Sequence, residues 1–150
     1  MKTLRFLTTI QAPPAVVWRT MLTQETYRLW TAAFCAGSYY EGSWHAGDHI
    51  RFLTPDGQGM AALVVESRPA ERVVLRHEAV IENGVEDAAA ARDKGWAGAR
   101  EEYILTPTEG GTEVAIAQDT AEEYAESMQE MWPAALALLK ELCEEAARRG

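Results

Sequence analysis

The sequence predicts an α+β domain in which a curved antiparallel sheet of about six to seven strands wraps on one long C-terminal helix, with two short helices after strand one. Three observations support this architecture. Residues 122–148 carry a helical pattern, residues from about 38 onward form short strand-like segments separated by turns, and two helical stretches follow the first strand-like segment. A terminal amphipathic helix must lay its apolar face on that sheet, because neither surface is stable in water.

The C-terminal helix is predicted over about residues 122–148. Apolar residues recur there every three or four positions, which is the spacing of one helix face, and charged residues fill most positions between them. Pro133 removes one helical hydrogen bond, so we expect either a bend at residues 129–133 or a new helix that begins at Pro133. The predicted apolar stripe consists of Tyr124, Met128, Met131, Ala135, Leu138 and Leu142.

The N-terminal part is predicted to form one strand and two short helices. Residues 2–10 alternate weakly between two faces, as a strand does. Pro13 and Pro14 end this strand because they cannot donate to a ladder, while proline is favoured in the first turn of a helix. Apolar spacing predicts one helix over residues 16–22 and a second over residues 25–34, packed together near one end of the sheet.

The middle of the chain is predicted to form an antiparallel meander. Turn residues punctuate it, most clearly at Pro55-Asp56-Gly57, where proline fixes φ and glycine is free to adopt a positive φ. Consecutive hairpins favour antiparallel pairing. The predicted strands lie at residues 39–40, 49–54, 59–67, 72–81, 99–106 and 112–119.

The segment at residues 84–98 interrupts this rhythm, because a tight turn would suffice between its two neighbouring strands. Residues 86–92 have helix propensity and an acidic start. Trp96 gives the segment an apolar anchor. The sequence therefore predicts a decorated loop or a lid and leaves the two alternatives open.

Composition limits the class of partner. The formal net charge is −9, from 23 acidic and 14 basic residues, and this field repels nucleic-acid phosphates and anionic lipids. No apolar run approaches the ~20 residues that span a bilayer. We therefore expect no nucleic-acid binding, no membrane insertion, and a single domain over residues 1–150.

Cysteine and histidine spacing predicts no metal site. Cys35 and Cys143 lie far apart and outside metal-binding spacings, and no N-terminal signal pattern is present, so we expect a reduced, cytoplasmic protein. His45 and His49 are four residues apart, but the strand-like residues and glycine around them argue against a helix that would place both on one face. We predict neither a metal nor a cofactor.

A series of short motifs in a fixed order covers essentially the whole chain. The motifs are APPAVVW at 12–18, LWT at 29–31, EGSW at 41–44 followed by GD at 47–48, ESRPAERV at 66–73, GAREEY at 98–103, GGTEV at 110–114 and WPAALALL at 132–139. In this order they resemble the START-like (SRPBCC) superfamily, the helix-grip fold of the birch-pollen-allergen type. Within it, the chain is most similar to the bacterial branch related to the activator of heat-shock chaperone ATPase, the Aha type.

This resemblance implies a deep apolar cavity between the sheet and the last helix. Members of the superfamily bind lipids, sterols or polyketides, some cyclise them, and some act on a chaperone. The resemblance does not choose among these activities, because function depends on the site rather than on the fold.

Three residues are candidates for chemistry. Alternation along residues 72–81 places His77 in an otherwise apolar row, where it is either an acid–base group or a core histidine with a satisfied hydrogen bond. Glu101 and Tyr103 share one face of a later strand, and the pattern does not decide whether that face is inside. If it is, His77, Glu101 and Tyr103 form a general acid–base set; otherwise Glu101 pairs with an arginine at the surface.

Aromatic and methionine side chains are numerous enough to line a cavity, since they combine large apolar area with adaptable shape. The alternative is that they simply fill the core. The predicted ligand-binding residues are Trp30, Phe34, Tyr40, Trp44, His77, Trp96, Tyr103, Met128, Met131 and Trp132.

The sequence therefore predicts a module that binds a small hydrophobic, lipid-like or polyketide-like molecule beneath the C-terminal helix. One alternative is a cyclase- or hydratase-type enzyme that uses the same cavity. Another is an interaction module of the chaperone-ATPase-activator kind. A homodimer is a further expectation for so small a domain with many aromatic residues.

Overall fold

The fold consists of one antiparallel sheet wrapped on a long helix, as a computed structural model shows for residues 1–149. The strands are β1 Lys2–Ile10, β2 Tyr39–Gly42, β3 His49–Leu53, β4 Gly59–Arg68, β5 Arg72–Glu82, β6 Val85–Asp87, β7 Arg100–Thr108 and β8 Gly111–Thr120. The helices are α1 Pro14–Leu22, α2 Gln24–Trp30, α3 Ala88–Asp93 and α4 Glu122–Arg149, with a 3₁₀ turn at Thr31–Ala33.

The sheet has the order β1-β8-β7-β5-β4-β3-β2, with β6 paired to the end of β5. Each strand pair is antiparallel, as the sequence of hairpins predicts. The register of β4 on β5 shifts between Ala61 and Ala62 and again between Val64 and Glu66. Such irregularities bend a strand and increase its twist, which curves the sheet around α4.

The predicted strands are confirmed to within two residues at each end, but β6 is an eighth strand that the sequence pattern does not reveal. It is three residues long, all of them exposed, so no burial alternation marks it. The rest of the 84–98 segment is also folded. The side chain of Asp87 accepts a hydrogen bond from the Ala90 N–H at 2.9 Å and caps α3, whose Ala91 is buried.

Helix α4 is continuous through Pro133, so the prediction of a new helix at this residue is wrong. The predicted stripe is partly correct: Ala135 is buried, and Met128 and Leu142 pack against the core. Tyr124 and Leu138 do not belong to it, since they are 42% and 38% exposed. The spacing of three to four residues is correct. It does not decide which of two adjacent apolar residues faces the sheet, and of Met131 and Trp132 it is the larger Trp132 that is buried. The buried face consists of Ala125, Trp132, Ala135, Leu136, Leu139 and Cys143.

Helices α1 and α2 pack against α4 at one end of the sheet. The second helix is shorter than predicted, because it ends at Trp30 and gives way to the 3₁₀ turn. The Trp30 indole donates to the Met21 carbonyl oxygen at 3.1 Å and fixes α2 against α1. Among the helices of residues 1–149, none is long and apolar enough to cross a membrane.

Candidate functional site

A cavity of about 290 Å³ lies between the inner face of the sheet and the helices α2 and α4. Its wall includes Cys35, which is exposed, so one end of the cavity reaches the molecular surface. The lining residues are Tyr27, Trp30, Thr31, Phe34, Cys35, Ser38, Phe52, Leu53, Thr54, Gly59, Met60, His77, Trp96, Glu101, Tyr103, Gln118, Met128 and Trp132.

Trp132 is the centre of the aromatic wall. Its ring centroid lies 4.9 Å from that of Phe34, 6.1 Å from that of Trp30 and 6.1 Å from that of Tyr103. Its indole N–H donates to the Gln118 side-chain oxygen. Because an indole N–H can only donate, this bond also fixes the orientation of the Gln118 amide, which lines the cavity as well.

His77, Glu101 and Tyr103 converge on the cavity wall in one hydrogen-bonded chain. His77 Nε2 lies 3.2 Å from Glu101 Oε1, and the Tyr103 hydroxyl donates to Glu101 Oε2. The strand register explains this: Leu75 faces Glu101 and Val73 faces Tyr103, so His77 is a diagonal neighbour of Glu101 on the same sheet face.

The Glu101 carboxylate therefore faces inward, and its side chain is only 14% exposed. The alternative of a surface pair between Glu101 and an arginine is wrong. Arginines on the outer face are engaged elsewhere: Arg72 pairs with Glu102 at 2.5 Å, and Arg76 pairs with Glu78 at 3.3 Å.

His77 is 5% exposed, and one of its ring nitrogens has no partner. A carboxylate only accepts hydrogen bonds, so Nε2 carries a hydrogen and donates to Glu101. Nδ1 has no hydrogen-bond partner among the described residues. His77 is therefore only half satisfied.

The two phenols on the cavity wall are held in their protonated form. Burial raises the pKa of Tyr103 well above its ordinary value, and the charge of Glu101 and the hydrogen bond to it raise it further. Burial first, then the charge of Glu101, also raises the pKa of Tyr27. Tyr103 is thus a hydrogen-bond donor to Glu101 at neutral pH.

An alkaline titration followed by phenolate absorbance should therefore leave Tyr27 and Tyr103 protonated until the chain unfolds. Since folding raises their pKa, the contribution of these two phenols to stability is constant below the ordinary tyrosine pKa of about 10 and falls above it, where only the unfolded phenols lose protons. Tyr103→Phe should shrink the late absorbance step. A titration of all five tyrosines in one early step, with the fold intact, would contradict this assignment.

Seven of the ten predicted ligand-binding residues lie on the cavity wall and three do not. Tyr40 and Trp44 pack behind it: the Tyr40 ring is 5.1 Å from that of Tyr27, and its hydroxyl donates to the Leu22 carbonyl oxygen at 2.5 Å. Met131 is partly buried on α4 and does not line the cavity. Those on the wall are Trp30, Phe34, His77, Trp96, Tyr103, Met128 and Trp132.

Sequence reasoning overlooks several wall residues. Tyr27 precedes Trp30 by one helical turn, and this spacing could have placed both on one face. Gln118 follows Val114 and Ile116 at alternate positions of β8, so a polar residue in that buried row was a detectable signal. Phe52 likewise follows Ile50 at an alternate position of β3, whereas Cys35 carries no such signal.

No cluster of three metal-ligating side chains occurs among the described residues. The chemistry available at the wall is that of hydrogen bonding and proton transfer. The Glu101 carboxylate can accept further hydrogen bonds or a proton, and Nδ1 of His77 has no partner among the described residues.

Comparison with known proteins gives one family and many similar structures. The family described as Activator of Hsp90 ATPase homolog 1-like protein matches residues 11–144. No curated protein matches the chain in sequence.

Solved structures agree with the chain over nearly its whole length. Protein MLL2253 from Mesorhizobium loti is 16% identical, with a TM-score of 0.75 over 96% of this chain and 98% of its own. The Aha1 dimer from Colwellia psychrerythraea is 19% identical, with a TM-score of 0.70 over 96% and 97%. DynU16, from the dynemicin biosynthetic locus, is 15% identical, with a TM-score of 0.70 over 98% of this chain and 49% of its own. At these identities the likeness shows the fold alone.

Proposed function

The chain belongs to the family of Activator of Hsp90 ATPase homolog 1-like proteins, and from this premise we propose that it binds a small apolar molecule between the sheet and α4. The observation that carries the proposal is the cavity of about 290 Å³. This volume is at the lower end of the ~300–1,000 Å³ typical of small-molecule sites. Aromatic and apolar side chains form most of the wall, and the side chains of His77 and Gln118 lie on it together with Glu101.

A built-in reporter allows the proposal to be tested. Cys35 lies on the cavity wall and is exposed, whereas Cys143 is buried in α4, and its burial raises its pKa to about 12. Alkylation should therefore occur at Cys35 alone in the folded protein, because the thiolate is the reactive form. A molecule that fills the cavity should slow this reaction, while Cys143 stays protected throughout.

The probe is N-phenyl-1-naphthylamine, an uncharged dye whose fluorescence rises in apolar surroundings. We expect it to bind, to slow iodoacetamide labelling of Cys35 and to raise the melting temperature. Met128→Gln places a polar group in the wall and should weaken the dye about tenfold. Leu138→Gln, on the exposed side of the same helix, is the matched control and should bind normally. If neither the dye nor a panel of apolar molecules protects Cys35, the proposal fails.

A second candidate function is acid–base catalysis, and it is favoured by the convergence of His77, Glu101 and Tyr103 in the cavity. Glu101 would accept a proton from a bound substrate, while the hydrogen bonds from Tyr103 and His77 hold its carboxylate in place. A cyclase or hydratase of this kind should change a bound molecule. Mass spectra of recovered ligands, compared between the native protein and Glu101→Gln, distinguish the enzyme from the binding module.

Association with other proteins is the third candidate. The Colwellia psychrerythraea relative is described as a dimer, which supports a homodimer for this chain as well. The outer face of β1 exposes Leu7 beside Ala115 of β8, an apolar spot that a second copy could cover. Sedimentation of the native protein and of Leu7→Asp measures this directly. A chaperone partner and a cytoplasmic location stay predictions.

A further inference from the structure

The cavity contains an acidic group that no lysine or arginine balances. Glu101 is on the wall, and no lysine or arginine is among the lining residues in the described part of the chain. The other titratable groups that line the cavity are His77, Tyr27, Tyr103 and Cys35. The whole chain carries a formal net charge of −9, which adds to the negative potential at this site.

Two side chains donate hydrogen bonds to Glu101. Tyr103 donates from its phenolic hydroxyl, and His77 donates from Nε2, which lies 3.2 Å from Glu101 Oε1. A carboxylate has about four acceptor positions, and these two bonds occupy only two of them. Glu101 thus keeps capacity for further donors, and a nearby positive charge would offset the free-energy cost of its partial burial.

The remainder of the wall also suits a cation. Phe34, Trp30 and Tyr103 surround Trp132 with ring centroids 4.9–6.1 Å away, and all four residues line the cavity. The negative face of an aromatic ring attracts an ammonium group, most strongly where water is excluded. The same rings supply apolar area for a hydrocarbon body.

We propose that the ligand is an organic amine, with an ammonium group that donates to Glu101 and an aromatic or alicyclic body that fills the Trp132 side of the cavity. This inference rests on the proposed binding function and names its ligand class. The cavity disfavours anionic ligands. Carboxylates, phosphates and sulfates would bring a second negative charge close to Glu101 with no lysine or arginine on the wall to receive it.

Three compounds that share one ring system and differ in charge test the inference. They are 2-(1-naphthyl)ethylamine, 2-(1-naphthyl)ethanol and 1-naphthylacetic acid, each measured at neutral pH by displacement of N-phenyl-1-naphthylamine and by calorimetry. We expect the amine to bind about tenfold more tightly than the alcohol, and the acid to bind least. Glu101→Gln should remove the advantage of the amine and leave the affinity of the alcohol within about twofold.

The matched control is Glu113→Gln, which removes the same charge from a residue of β8 that is absent from the cavity wall. It should keep the preference for the amine. The ranking in the native protein is decisive even if Glu101→Gln does not fold. Equal affinities for the amine and the alcohol, or tightest binding of the acid, would overturn the amine class and leave the binding function standing. Failure of the dye and all three compounds to bind would overturn both.

Discussion

Replacing Trp132 by alanine is expected to lower the free energy of unfolding by about 3–5 kcal/mol, the range measured for large buried aromatic residues. The side chain is 2% exposed and contacts rings from β1, α2, the 3₁₀ region and β7. Its removal also leaves the Gln118 oxygen without its donor in a buried position. The loss in the free energy of unfolding should therefore have two causes: the lost packing of the indole and the unsatisfied Gln118 oxygen.

Urea unfolding measures this effect, and Met131→Ala is the control. Met131 is the neighbouring residue on α4 but is only partly buried and does not line the cavity. We expect a much smaller loss for Met131→Ala, and a fall in melting temperature of about 2–4 °C for each kcal/mol lost in either variant. Equal losses at the two positions would mean that α4 presents a different face to the sheet.

Replacing Gly59 by alanine is expected to cost about 1–3 kcal/mol, towards the upper end of that range. A Cβ at this position would overlap the Phe52 carbonyl oxygen, and it would lie 2.8 Å from the Phe52 carbonyl carbon and 3.1 Å from the Leu53 Cα. These are backbone atoms of β3, so no side-chain rotation can relieve the contact. The β3–β4 hairpin would have to separate where Gly59 lines the cavity.

Gly110→Ala is the matched control, because a Cβ there has no atom within 4 Å and its φ is not positive. Gly110→Ala should leave the melting temperature nearly unchanged. Gly59→Ala should lower it and should also weaken dye binding. If Gly59→Ala melts like the native protein, the close approach of β3 and β4 is not as the structure shows it.

The strands, their antiparallel pairing and the family were all within reach of the sequence, and each is confirmed. The information is local: Val73, Leu75 and His77 alternate with outward residues, and turn residues end each strand. The phase of α4 was not within reach. Met131 stands beside Trp132 and Leu138 beside Leu139, so two faces of the helix have nearly the same hydrophobic content, and only packing against the sheet selects one.

The candidate site also has a part that the sequence predicts and a part that depends on how the strands pair. Alternation correctly groups Glu101 with Tyr103 on one face, but whether that face is inside depends on β8, where Gln118 stands opposite Glu101. The contact of His77 with Glu101 needs the register of β5 on β7, which no single strand contains. The proposed ligand class depends on the whole cavity wall. It could not be inferred from the sequence, because only the folded structure shows that Glu101 lines the cavity without a lysine or arginine.

The short strand β6 has a consequence for how the folded chain behaves in a crowded solution. β7 pairs with β5 at Arg72 to Arg76, and β6 pairs with the same edge of β5 at Val80 to Glu82. Without β6, backbone N–H and C=O groups of β5 at Val80 to Glu82 would be unpaired at the sheet edge. Such edges recruit strands from other molecules. β6 replaces this edge with one that is only three residues long and carries Glu86 and Asp87, and short charged edge strands resist pairing with other molecules.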